Sequence, residues 1–366
     1  MNKLSDYPTV TTEEYKEILR TAIQGRVQLL AVGAPGIGKS KIYYQVIEEF
    51  QKSGVNIKSI VTDTEEILAI RSYTEITSIK EPIEYSGIQD LSGNTIATGL
   101  IKKLIEPFDG LTVVFIDDLT QAPAQVLNPL TQLMEDRKIE GFVLPDKDKM
   151  IFIGACNDKS HKSNASGLPE MLKGRFDTII HVKPDVDSLT EYAIDKGWDK
   201  TLIAFFRGRP EFIEQKEFSH RIEQGSNSRN FESLDKILKL YDNDKPYFPA
   251  LVSGAVGEEM SIEFLAFREL VPFMPCADTI INAPDSALMP EEITGVKPET
   301  VACIYYALIG NLVERSTESN ISNLYKYMKR APAEFAYMLH MDISKRKPDL
   351  METETFINYI CELNNN

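Results

Sequence analysis

Residues 33–40 read Gly33-Ala34-Pro35-Gly36-Ile37-Gly38-Lys39-Ser40, a complete G-x-x-x-x-G-K-[ST] pattern. The run Val27-Gln28-Leu29-Leu30-Ala31-Val32 leads into it, and a helical pattern from Lys41 to Phe50 leads out. Strand, glycine-rich loop and helix in this order restrict the fold sharply. The glycines let successive backbone N–H groups turn inward around an anion, and the helix N-terminus adds partial positive charge there. Lys39 is then placed to reach the β- and γ-phosphates and Ser40 to ligate Mg²⁺, with Lys41 opening the helix behind them. The pattern predicts an α/β core with Gly33 to Lys41 as the nucleotide-contacting residues and ATP with Mg²⁺ as cofactors.

The rest of the chain supports such a core. Leu111-Thr112-Val113-Val114-Phe115-Ile116-Asp117-Asp118 begins as a continuous apolar run, the signature of a strand buried on both faces. Met150 to Cys156 and Thr178 to Val182 repeat it. Helices are expected over 11–25, with Thr11 or Thr12 as cap and Glu13 and Glu14 in the first turn, over 41–52 and over 123–137. Val55 to Thr62 reads as β-rich. Residues 63–110 read as helical pieces with a loop or insertion at Tyr85–Asn94. Residues 138–150 read as a hairpin with strand residues Ile139–Leu144 and a turn at Pro145–Lys149. Strands alternating with helices imply a doubly wound parallel sheet. Three regions are expected: an α/β nucleotide-binding core over 1–185, a helical lid over 186–272, and a connector with a helical C-terminal extension over 273–366.

Charge narrows the partners. Acidic residues number 55 and basic residues 40, for a formal net charge of −15. That argues against indiscriminate binding to nucleic acid or an anionic membrane. Arg207-Gly208-Arg209 and Lys345-Arg346-Lys347 are read as solvated turns. The cysteines at 156, 276, 303 and 361 are too dispersed for a zinc pair or a disulfide framework. The four histidines are scattered and read as structural. The N-terminus has no signal-like apolar core, and the apolar stretch Ala302 to Val313 is too short to span a bilayer. A soluble cytoplasmic protein is expected.

Two carboxylates end the 111–118 run, at the sheet edge where ligands bind in open α/β folds. Asp117 is the candidate for the Mg²⁺ beside Ser40, and Asp118 for the attacking water. Asn157, at the end of the next strand, can hold that water or meet the γ-phosphate. Arg175, before the third strand, suits the charge of a transferring phosphoryl group in a neighbouring subunit; otherwise it is a surface ion pair, with Asp177 as the natural partner. Arg229, opening a helix of the second region, can fold back over the phosphates.

This set resembles the AAA+ ATPases, specifically their MoxR-like branch. The resemblance rests on Gly33–Ser40, Val113–Asp118, Gln121 to Leu130 running into Glu135-Asp136-Arg137-Lys138-Ile139, Gly154-Ala155-Cys156-Asn157, Gly174-Arg175-Phe176, Ser228-Arg229-Asn230-Phe231, Val256-Gly257-Glu258 with Glu263-Phe264, and Ala331 to Phe335. It implies an AAA+ P-loop core followed by a helical lid, with Walker A at 33–40, Walker B at 113–118, Asn157 as sensor 1, Arg175 as arginine finger and Arg229 as sensor 2. It also implies a ring, usually of six subunits, and a chaperone-like action on a partner carrying a von Willebrand factor A domain. The family usually has Glu where this chain has Asp118, one methylene shorter. The leading expectation is an ATP-hydrolysing remodeller of a protein partner. The alternatives are a weakly hydrolysing, ATP-gated assembly switch and a nucleic-acid motor. A guanine-reading Asn-Lys-x-Asp stretch does not occur.

Overall fold

The computed structural model describes residues 7–58, 65–139, 142–146, 148–157, 170–213, 227–241, 245–293, 300–353, 356, 357 and 359. They divide into two compact units, the first ending at Ser188 and the second beginning at Leu189. Cys361, the polar tail over 364–366 and the β-rich continuation to Thr62 lie outside the described residues.

The first unit opens with β1 (Thr9–Val10) and α1 (Thr12–Gln24). The α1 start is a reciprocal capping box. The Thr11 side chain accepts from the Glu14 N–H at 3.2 Å, and the Glu14 carboxylate accepts from the Thr11 N–H at 2.7 Å, satisfying two donors that a helix start leaves open. Then come β2 (Leu29–Gly33), α2 (Lys39–Ser53), a two-stranded ribbon of β3 (Val55–Lys58) and β4 (Glu65–Leu68), and β5 (Ile70–Ile76). Short elements follow: α3 (Ile83–Ser86), a ribbon of β6 (Ile88–Gln89) and β7 (Thr95–Ile96), and α4 (Gly99–Leu104). The remainder is β8 (Leu111–Asp117), α5 (Ala124–Asp136), the ribbon of β9 (Lys138–Ile139) and β10 (Phe142–Val143), β11 (Met150–Asn157), α6 (Glu170–Lys173) and β12 (Thr178–Val182).

Six strands form one parallel sheet in the order β1-β12-β2-β11-β8-β5. The continuous apolar runs have a plain cause. Alternate residues of each strand feed two separate cores. Leu29, Ala31, Val113, Phe115, Ile151 and Ile153 pack with α1 and α2, while Leu30, Val114, Ile116 and Phe152 pack with α4 and α5. A strand covered on both faces has no solvent side to mark with polar residues. The expected α/β core, with a parallel sheet between helices, is what these residues form.

Three local expectations change. The stretch 63–110 contains β5, an edge strand of the main sheet, which its polar residues disguised. The hairpin after α5 pairs Phe142 with Ile139, so its connection is at 140–141, outside the described residues, and not at Pro145–Lys149. Arg207 is no solvated turn. It lies in α8 (Lys200–Gly208) and is largely buried against Asp342.

The described residues of the second unit are mostly helical, from the end of α7 (Val186–Asp195) through α8, α9 (Ser228–Leu240), α10 (Phe248–Val256), α11 (Glu258–Leu270), α12 (Ala277–Asn282), α13 (Val301–Arg315), α14 (Ile321–Met328) and α15 (Ala333–Arg346). The described residues of 189–272 and of 273–359 fall in the same compact unit. Tyr305, Leu308, Leu312, Leu324 and Leu339 lie in its main core. Among the described residues no helix is long and apolar enough to cross a membrane.

Candidate nucleotide site

The carboxyl edge of the sheet brings together five of the sequence-predicted residues: Lys39, Ser40, Asp117, Asp118 and Asn157. β2 ends at Gly33, in register with Val182 of β12 on one side and Asn157 of β11 on the other. A Cβ on Gly33 would come within 2.5 Å of the Val182 carbonyl, so only glycine lets the loop leave the sheet here. Gly38 caps α2 with φ of 98°, a left-handed backbone that other residues adopt at a cost. It turns the chain so that the first N–H groups of α2 face the loop.

Lys39 is 7% exposed. Its Nζ donates to the carbonyls of Gly33 and Ala34, both at 2.8 Å, and lies 3.4 Å from Asn157 Oδ1. Ser40 Oγ donates to Asp117 Oδ2 at 2.6 Å. A hydroxyl and a carboxylate so placed are oxygen donors of the kind Mg²⁺ takes, and these are the two residues that could hold it.

Asp118 differs from its strand neighbour in backbone as well as role. It has φ of 58°, so its direction is set by a left-handed turn and not by strand alternation. Aspartate is among the few residues that tolerate this region. Its N–H donates to Asp117 Oδ1 at 2.9 Å, and its Oδ2 accepts from Ser78 Oγ at 3.4 Å. Thr77 Oγ1 donates to the Asp117 carbonyl at 2.9 Å. Thr77 and Ser78 were not legible as site residues, because the strand that delivers them, β5, was itself hidden. Glu75, at the end of that strand, is fully buried, with Lys80 Nζ at 3.2 Å.

Arg175 sits elsewhere. It precedes Thr178, which pairs with Leu29 at the start of β2, so it lies at the amino edge of the sheet. The five residues of β2 separate that edge from the phosphate loop, about 15 Å at the usual rise per residue. Its guanidinium pairs with Glu135 of α5, not with Asp177, whose carboxylate accepts from the Gln28 N–H at 2.8 Å. The Gln28 side chain donates to the Arg175 carbonyl at 2.8 Å and accepts from Arg137 at 3.2 Å. Burial pushes the Arg137 guanidinium down to about 10, against the pull of Asp146 and Asp177, which leaves it a cation at neutral pH.

Residues 28–176 match the AAA domain of the dynein-related subfamily. The matched stretch lies within the first unit. No curated protein matches the chain at significance. Among solved structures, the Thermotoga maritima RuvB Holliday junction branch migration motor is similar at 17% identity, over 72% of this chain and 70% of that one, with a TM-score of 0.37. NtrX from Brucella abortus in complex with ADP is similar at 13% identity, over 92% and 67%, with a TM-score of 0.39.

The match begins at Gln28 and ends one residue after Arg175. It therefore holds Lys39, Ser40, Asp117, Asp118, Asn157 and Arg175. Arg229 belongs to the second unit, where it is exposed near the start of α9. The Asn227 side chain caps that helix, accepting from the Arg229 N–H at 3.0 Å and the Asn230 N–H at 3.2 Å.

Proposed function

We propose that the chain is a Mg²⁺-dependent ATP hydrolase whose subunits complete one another's sites in a ring and act on a protein partner. The observation that carries the reading is the pair of contacts Ser40–Asp117 and Lys39–Asn157. They bring three distant segments to one edge of an AAA domain. In this reading the phosphate loop N–H groups cradle the phosphates, and Lys39 exchanges its two carbonyl partners for phosphate oxygens. Ser40 and Asp117 hold Mg²⁺, which when bound neutralises charge on the β- and γ-phosphates. Asp118 orients the attacking water and takes up its proton. Asn157, beside Lys39, fixes that water or the γ-phosphate. By the MoxR-like resemblance, Arg229 would take the part of sensor 2.

Arg175 supports the ring. An arginine on the edge opposite its own phosphate loop is too far away to serve it, and in this reading it serves a neighbour. The ring size, six, and a partner with a von Willebrand factor A domain follow from the MoxR-like resemblance. The ribbon β6–β7 bears exposed Ile88 and Ile96 with fully exposed Leu91 between them, and Val143 is exposed on β10. Exposed apolar side chains on these two ribbons suit contact with a protein client. The net charge of −15 supports a protein client over nucleic acid.

A second reading, an ATP-gated assembly switch with slow turnover, is favoured by Asp118, whose carboxylate reaches one methylene less far than glutamate. The deciding experiment is Mg²⁺-dependent ATP hydrolysis per subunit over a wide range of protein concentration. A rate that climbs with concentration is expected. A flat background rate with ATP still bound would leave the switch.

A further inference from the structure

Gln28 interrupts the apolar run that forms β2, and it is only 3% exposed. A polar side chain at such a depth is destabilising unless its hydrogen bonds are made. Here they converge on one turn. The Gln28 N–H donates to Asp177 Oδ2 at 2.8 Å, and its carbonyl accepts from the N–H groups of Asp177 and Thr178 at 2.8 and 3.2 Å. Any residue could supply those backbone bonds. The side chain adds what only an amide can: Nε2 donates to the Arg175 carbonyl while Oε1 accepts from Arg137 Nη2. A guanidinium has donors only, so Arg137 dictates which end of the amide faces Arg175.

Arg137 is itself an unexpected choice. It follows the last residue of α5 with φ of 51°, a C-terminal position where glycine or asparagine is the usual solution. It is 7% exposed, its guanidinium lies 4.8 Å from the Phe152 ring centre, and its Nε and Nη1 atoms have no hydrogen-bond partner among the described residues. A helix end does not need a buried cation with unmet donors, which is costly to keep. Among the described residues its side chain hydrogen-bonds to Gln28 alone. Its carbonyl accepts from the Leu144 N–H at 2.8 Å, just beyond the β9–β10 ribbon.

We infer that Gln28 and Arg137 are positioning residues for Arg175: they fix its carbonyl, and so the direction in which its side chain leaves the amino edge of the sheet. Glu135, two residues before Arg137, holds the guanidinium of the same arginine. The end of α5 thus holds the Arg175 guanidinium directly through Glu135 and its carbonyl indirectly, through Arg137 and Gln28, and the residue after the β9–β10 ribbon is tied to Arg137. The inference rests on the reading of Arg175 as a residue that serves a neighbouring subunit.

The test uses the whole chain and ATP. Gln28→Glu keeps the shape and the contact with Arg137, but a carboxylate cannot donate to the Arg175 carbonyl. Misplacing a catalytic group by about 1 Å can reduce turnover by about 10²-fold. A fall of that order in kcat is expected, with KM for ATP and the binding of a fluorescent ATP analogue unchanged. Gln28→Glu subunits are then mixed with Asp118→Asn subunits, which are expected to bind ATP without turning it over and carry an intact Arg175. Turnover above the sum of the two is expected, because each Gln28→Glu site beside an Asp118→Asn subunit regains a well-placed arginine. A fold defect confined to the Gln28→Glu subunit's own site would show no such recovery. Arg175→Ala mixed with Asp118→Asn is the reference. If that pair recovers and Gln28→Glu does not, or if Gln28→Glu alone turns over at the normal rate, the positioning role is overturned and the neighbour reading stands. If Arg175→Ala does not recover either, both fall. Gln28→Met removes both side-chain hydrogen bonds without introducing a buried charge, and it must recover in the same way.

Discussion

Ser40 Oγ donates to Asp117 Oδ2 across 2.6 Å, although the two residues are 77 positions apart in the chain. The two oxygens meet in the place where the proposed Mg²⁺ would sit. If both oxygens are metal ligands, neither variant alone should spare the other. Ser40→Ala and Asp117→Asn should each remove most Mg²⁺-dependent turnover, and the double variant should be little worse than either, since residues that act as a unit are non-additive. Steady-state hydrolysis against Mg²⁺ concentration checks this. Full multiplicative losses would mean that the two act separately.

Asp118→Asn should separate binding from chemistry. The amide fits the left-handed backbone at this position as well as aspartate does, so the fold is expected to be kept, and ATP binding with it. The amide cannot take up the proton of the attacking water, so single-turnover hydrolysis should fall at least about 10²-fold, the range of a lost general base. Undiminished hydrolysis would move the chemistry to another residue.

Arg175→Ala should leave ATP binding intact and reduce turnover by about 10³-fold or more, the range for an arginine supplied between subunits. Unchanged turnover at high protein concentration would reduce Arg175 to the ion pair with Glu135.

How far these residues could be read from sequence depends on what surrounds them. The strands β2, β8, β11 and β12 are legible because they are buried on both faces and so nearly continuous in apolar residues. The strand β5 is not. Ile70-Arg71-Ser72-Tyr73-Thr74-Glu75-Ile76 is half polar, and its polar residues are accommodated by distant partners: Arg71 by Thr112, Ser72 by Tyr43, Glu75 by Lys80. No local pattern encodes such pairings. Losing β5 concealed Thr77 and Ser78 beside the two carboxylates. Gln28 was hidden for the opposite reason. It sits inside a run whose apolar character was already sufficient evidence for a strand, so its polarity looked incidental. Arg175 was found, but its partner Glu135 is 40 residues away, and the nearer Asp177 was the natural guess.

His340 gives the second unit a defined pH dependence. It is buried, its Nδ1 lies 3.3 Å from the Tyr325 hydroxyl, and its ring stacks on Phe356 with centres 4.3 Å apart. Burial pushes the imidazole below its ordinary value. The folded state therefore binds this proton less readily than the unfolded state, for which the value is about 6.5. The contribution of His340 to stability is fully present above that value and is lost as pH falls through the lower, folded one. The thermal midpoint should drop between pH 7 and pH 5 by more in the parent than in His340→Gln, which does not titrate. Parallel curves for the two proteins would rule His340 out as the source.

Arg207 and Asp342 tie α8 to α15 by two hydrogen bonds, Nη1 to Oδ2 at 2.6 Å and Nη2 to Oδ1 at 2.7 Å. Their side chains are 11% and 7% exposed. α13 packs against both helices, so the pair closes over an apolar layer. Breaking a buried pair from one side leaves a charge with neither solvent nor counterion, and typically destabilises by about 3–5 kcal/mol. Arg207→Met should do this to Asp342. Arg346 lies close enough to Asp342 for their charges to interact, which should hold the loss near 3 kcal/mol, the lower end of that range. The double variant Arg207→Met/Asp342→Leu should recover most of the loss, because both charges are gone and the apolar replacements suit the site. Denaturant unfolding of the four proteins gives the coupling directly. A single variant within about 0.5 kcal/mol of the parent, the scale of ordinary surface substitutions, would show that the pair contributes nothing to holding these helices together.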